Sequence, residues 1–234
     1  MKKNFLTSVF CIFAMTKIAF AQNTGSNPCE NVRFEPMLNF TTSYGKLRYD
    51  HSYSQKELQK LGQAFGVNEH GMFTSGLSVA SIEWEVMLDT VSKVVNAEDI
   101  CIVPTVVDVF VGFQNPTIYI SNHLKQGTCE YNLVMRHEHQ HQQMNIVALE
   151  YFIPKIKEEL EKRLKDVKPH HAPSLSRASA VTAEMTDEYI KLIAPYINKF
   201  KASLLREQSL LDTRENYEKE DAVCRKGLKG LLGI

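Results

Sequence analysis

The chain has 234 residues, 44% hydrophobic and 23% charged, with 27 basic residues against 27 acidic ones. That composition excludes collagen-like, coiled-coil and disordered classes and suits a globular chain long enough to bury a core. A zero charge balance gives no reason to expect nucleic acid or an anionic membrane surface as a partner.

The first 21 residues read as an export signal. Lys2 and Lys3 precede a mostly apolar run from Phe5 to Met15, and Ala19-Phe20-Ala21 offers the small-x-small pattern of a signal peptidase site. The run is too short to span a bilayer, so no stable membrane anchor is expected after cleavage. Removing the signal takes away three lysines and no acids, which makes residues 22–234 mildly acidic. The expected destination is periplasmic or extracellular.

Cysteine usage fits an oxidising compartment. Cys29, Cys101, Cys129 and Cys224 remain after the signal, and none forms a C-x-x-C pair, so two disulfides are expected rather than a zinc cluster.

Residues from about 30 to 125 carry strand signals. Leu47 to Ser52 reads as a short strand, and Ser54-Gln55-Lys56-Glu57 matches a capping box that opens a helix over 55–65. Ile82, Trp84, Val86 and Leu88 alternate with Glu83 and Glu85, the pattern of a half-buried strand. A Val- and Ile-rich run follows over 100–113, then the short strand Thr117-Ile118-Tyr119-Ile120-Ser121.

From about 128 to 220 the periodicity is helical. Thr128 is a suitable N-cap for a helix running from Cys129 to about Lys165. The segment Lys168-Pro169-His170-His171-Ala172-Pro173 breaks it. A second helix is expected from Ser176 to Lys219, with an apolar stripe of Ile193, Ile197, Phe200, Leu204 and Leu211. The expected fold is α+β in one domain: a mixed or antiparallel sheet with a short helix, followed by a long helical hairpin.

One motif carries chemistry. His137-Glu138-His139-Gln140-His141 fits H-E-x-x-H near the start of the first long helix. Four residues are about one helical turn, so His137 and His141 share a face and can grip one metal ion. Zn2+ suits two imidazoles best, with one ion per chain, and Glu138 stands where it can take a proton from a zinc-activated water. His139 points away from that face and reads as a solvated residue.

The third ligand must come from elsewhere. Gly and His do not follow at the metzincin spacing, since Met144 and Val147 stand there. An antiparallel hairpin about Pro169 and Pro173 places the region from Phe200 to Glu215 opposite the motif, because both helices rise equally per residue. Glu215 and Asp212 rank first as ligands, then Glu207, then Glu184. Tyr217 is a candidate hydroxyl for stabilising an oxyanion. The same hairpin brings Cys129 to Cys224, which leaves Cys29 for Cys101.

With Gly127-Thr128-Cys129-Glu130-Tyr131 leading into the zinc motif, and Leu211-Asp212-Thr213-Arg214-Glu215-Asn216-Tyr217 in the place of a late acidic motif, the chain resembles an uncharacterised bacterial family of secreted zinc-dependent proteases. A late His is frequent in that family; here Tyr217 stands nearby instead. The resemblance implies a zincin-like peptidase that hydrolyses peptide bonds with Glu138 as general base. Its peptide or protein substrate would pair with the strand from Thr117 to Ser121. The alternative from another class is a non-catalytic exported protein that binds metal or a partner on a degenerate zincin fold.

Overall fold

Two sheets and two long helices divide the chain. The computed structural model describes residues 27–66 and 75–232, with side chains through Arg225; the expected signal over 1–21 lies outside the described residues. In chain order come β1 (Met37–Ser43), β2 (Arg48–Asp50), α1 (Gln55–Ala64), β3 (Gly76–Val79), β4 (Ile82–Val94), β5 (Ile100–Phe113) and β6 (Thr117–Ile120). The helical region follows: α2 (Cys129–Lys165), a short β7 (His170–Ala172), a single 3-10 turn, α3 (Ala178–Leu211) and α4 (Arg214–Leu232).

β4 and β5 form a long antiparallel hairpin, running from the pair Ile82 with Phe113 to the pair Val94 with Ile100. Asn96 closes the turn, its side-chain oxygen accepting from the backbone N–H of Glu98 and Asp99. β1 lies parallel to β5 and β7 pairs antiparallel with its start, which makes this sheet mixed. A second, three-stranded sheet has the order β2-β6-β3. The expected capping box at Ser54 is formed: its hydroxyl accepts from the Glu57 N–H and the Glu57 carboxylate accepts from the Ser54 N–H.

The helices pack where their stripes face the sheets. Leu149, Phe152, Ile156 and Leu160 of α2 meet Ile193, Ile197, Phe200 and Leu204 of α3 over Val107, Val109 and Val111 of β5. Spacings of three and four residues put each set on one helix face. Nearer its start, α2 packs Tyr131 and Val134 under Ile118 and Ile120 of β6. The H-E-x-x-H motif therefore sits where α2 passes from the small sheet to the large one.

Both expected disulfides are present, Cys29 with Cys101 and Cys129 with Cys224. No helix among the described residues is long and apolar enough to cross a membrane.

Two expectations need correction. The strand beginning at Thr117 is the middle strand of its sheet, paired with β2 on one side and β3 on the other, so its backbone is already used. The second long helix also does not run unbroken to Lys219. Asn216 turns its amide back onto the carbonyls of Leu210 and Leu211, ending α3, while Thr213 accepts from the Asn216 N–H and starts α4.

Candidate metal centre

That break builds the site. Ending α3 at Leu211 frees Asp212 from helical geometry and turns its carboxylate onto α2. The Nε2 atoms of His137 and His141 are 3.2 Å apart, and Asp212 Oδ1 lies 3.0 and 2.9 Å from them. Tetrahedral coordination with bonds of about 2.0–2.1 Å has ligand-to-ligand edges of roughly 3.3–3.4 Å. The triangle is slightly tighter than that and is compatible with three ligands around one ion. His137, His141 and Asp212 could hold a metal ion, and they are the one such group among the described residues.

Burial and charge explain why the three converge. His137 is 2% exposed and His141 7%, while the Asp212 side chain is 31% exposed, so solvent reaches the cluster from the aspartate side. Burial pushes the Asp212 carboxyl up, but hydrogen bonds from both histidines outweigh it and hold the group well below the usual carboxylate range. Burial pushes His137 down, yet the Asp212 hydrogen bond and the charges of Glu138, Glu220 and Asp212 leave it raised.

A second layer comes from α4. Glu220 Oε2 lies 3.2 Å from His137 Nδ1, the ring atom that does not face the cluster. A carboxylate there sets the tautomer and holds the ring in place, as outer partners of metal-bound histidines do. Tyr217 donates its hydroxyl to Asp212 Oδ1 at 3.0 Å and stacks on the His137 ring with centroids 4.8 Å apart.

Glu138 is 5% exposed and lies against β3. A Cβ added to Gly76 would stand 2.6 Å from Glu138 Oε1 and 2.5 Å from Val134 Cγ1, so only glycine lets the strand come this close. Farther along α2, Gln142 donates to Ser78 of β3. Asn145 donates to Gln142 and accepts from Gln208 of α3. This chain of side chains, buried at Gln142 and Asn145 and half-buried at its ends, ties β3, α2 and the last turn of α3 together.

The other sequence candidates lie outside the cluster. Glu215, ranked as a ligand, is exposed and paired with Lys219 at 2.8 Å, because the break after Leu211 turns it away from α2. Glu207 is exposed and paired with Arg206, and Glu184 is exposed on α3. His139 is exposed, its ring 3.2 Å from the Tyr49 hydroxyl, on a different face from the cluster. Glu220 and Gly76 were not anticipated. The signal for Glu220 was its spacing: Tyr217, Glu220 and Cys224 fall on one face of α4, and pairing Cys224 with Cys129 turns that face toward α2. Nothing in the sequence marked Gly76, whose importance depends on a strand packing across a helix.

Compared with known proteins, the chain matches no family model, no curated protein and no solved structure.

Proposed function

We propose that this protein is an exported, zinc-dependent metallopeptidase with a zincin-like arrangement. One juxtaposition carries the reading: His137, His141 and Asp212 converge within about a bond-pair's reach while Glu138 stands beside them on the same helix. Two imidazoles and one carboxylate are the donor set zinc takes when a coordination position is left for water or substrate. Bound there, zinc would supply a Lewis acid and make a water nucleophilic near neutral pH.

The chain's own groups do the rest. Glu138 takes a proton from the attacking water and passes it to the leaving amine. Glu220 holds His137 by Nδ1, and Tyr217 holds Asp212, its one hydroxyl proton going to that carboxylate rather than to an oxyanion. The substrate strand belongs on β3 rather than β6. Among the described residues β3 pairs with β6 on one side, and its Gly76 abuts Glu138. A peptide added there would bring its backbone to the general base.

A second reading draws on burial. With His137, Glu138 and His141 each under a tenth exposed, the same cluster suits a non-catalytic exported protein that binds metal. Casein or peptide-library hydrolysis, measured with and without chelator, separates the two. Glu138→Gln should abolish turnover, a loss of more than about 100-fold for a lost general base, while zinc content stays near one per chain. Retained turnover in that variant would refute the peptidase reading.

A further inference from the structure

The two disulfides differ in exposure and in what they hold. Cys29 and Cys101 are both fully buried and packed with Val103, Val32 and Phe34. Cys224 is 5% exposed, whereas Cys129, the first residue of α2, is exposed. Thiol–disulfide exchange needs an attacking thiolate to reach a sulfur, so exposure sorts bridges into labile and inert ones. One bridge is closed on both sides; the other is open at Cys129.

The open bridge is also the one attached to the metal centre. Cys129 precedes His137 by two helical turns, and Cys224 follows Glu220 by one turn and Tyr217 by two. All five groups lie along the seam where α4 rests on α2. Glu220 reaches His137 across this seam, and Tyr217 reaches Asp212. α4 joins α3 through Asp212 and Thr213 alone, so the Cys129–Cys224 bond is the covalent tie holding the far side of this clamp.

We infer that the Cys129–Cys224 bridge is a thiol-exchange site that controls metal retention at the His137, His141 and Asp212 cluster. The inference rests on reading those three residues as metal ligands. The co-reactant is a dithiol. One of its thiolates attacks Cys129 Sγ, forming a mixed disulfide as the bond to Cys224 breaks, and Cys224 leaves as a thiolate that water protonates. The second thiol of the reductant then attacks the mixed disulfide, so the reductant departs as a cyclic disulfide, its two electrons now on the two cysteine sulfurs. Cys129 leaves as a thiolate at the N-terminus of α2, where the helix amides stabilise it. With the tie cut, Glu220 is no longer held at His137 Nδ1, nor Tyr217 at Asp212.

The test uses the full exported chain loaded with zinc. Graded dithiothreitol treatment is followed by alkylation, removal of both reagents, peptide mass mapping, far-UV circular dichroism and zinc titration against a chromogenic chelator. Cys129 and Cys224 should be alkylated while Cys29 and Cys101 are still joined. Zinc affinity should then fall about 10–100-fold, the range for loss of outer partners, with the helical signal kept. Glu220→Gln, with both bridges intact, should lower affinity in the same direction. Unchanged affinity in the opened protein would overturn the inference and leave the metal site standing, as would opening of Cys29–Cys101 first. Collapse of the helical signal would also overturn it, because the bridge would then be holding the fold. If the oxidised protein takes up no zinc, the metal reading fails and this inference with it.

Discussion

Asp212 and Glu215 stand three residues apart and meet opposite fates. Asp212 is drawn onto two imidazoles, while Glu215 projects into solvent against Lys219. Asp212→Asn should therefore weaken zinc binding by more than the roughly 10–100-fold expected for an outer partner, as read by chelator competition. Glu215→Gln should leave zinc binding unchanged and shift stability by less than about 0.5 kcal/mol, as exposed substitutions do. Equal effects of the two changes would refute this assignment. The raised His137 and lowered Asp212 also set a pH dependence for the metal-free protein. The His137 contribution is full below its unfolded value of about 6.5 and is lost as pH rises through the folded value. The Asp212 contribution is full above its unfolded value of about 3.9 and is lost as pH falls through the folded one. Chelator-treated protein should thus lose melting temperature as pH rises above about 6.5, with a smaller slope in His137→Gln. Zinc should act in the reverse sense, stabilising more at pH 8, because it needs neutral imidazoles.

At the scale of elements, the approach of β3 to α2 depends on Gly76. Gly76→Ala puts a methyl within 2.6 Å of Glu138 Oε1, so either the strand lifts or the carboxylate turns. Overpacking of this kind costs about 1–3 kcal/mol. The expected result is a matching loss in thermal stability and, on the proposed peptidase reading, a loss of hydrolysis, with zinc content unchanged because the added methyl meets Glu138 and Val134 and none of the three ligands. Full activity in that variant would show that β3 does not position Glu138. The polar chain from Ser78 through Gln142 and Asn145 to Gln208 supports the same interface from inside. Fully partnered, such groups favour one register of strand on helix, since any shift leaves a buried amide without its partner.

Across the whole molecule the two disulfides divide the labour. Cys29–Cys101 closes a separation of 72 residues and pins the segment before β1 to the large sheet. Removing it as Cys29→Ser and Cys101→Ser should cost about 2–5 kcal/mol, read as a lower melting temperature with zinc affinity retained. A loss of zinc affinity with unchanged melting temperature would reverse this division. The cores are arranged to match: the apolar stripes of α2 and α3 are buried on the large sheet, and the start of α2 carries the motif under the small one.

Much of this could be read before any coordinates. Alternation at Ile82, Trp84, Val86 and Leu88, the capping box at Ser54, the stripe from Ile193 to Leu204 and the four-residue spacing of His137 and His141 are local patterns, and local periodicity decides which face of an element is buried. Hairpin arithmetic extended this to the pairing of Cys129 with Cys224 and to the region holding Asp212, because two antiparallel helices rise equally per residue. Three things depended on tertiary contacts. Asn216 capping the end of α3 turned Asp212 inward and Glu215 outward. Pairing of β6 on both sides left β2 and β3 as the outer strands of the small sheet among the described residues. The closeness of Gly76 to Glu138 and of Glu220 to His137 arose where separate elements cross. Contacts between residues tens of positions apart leave no period in the chain, so packing had to decide among carboxylates that the sequence presented as near equals.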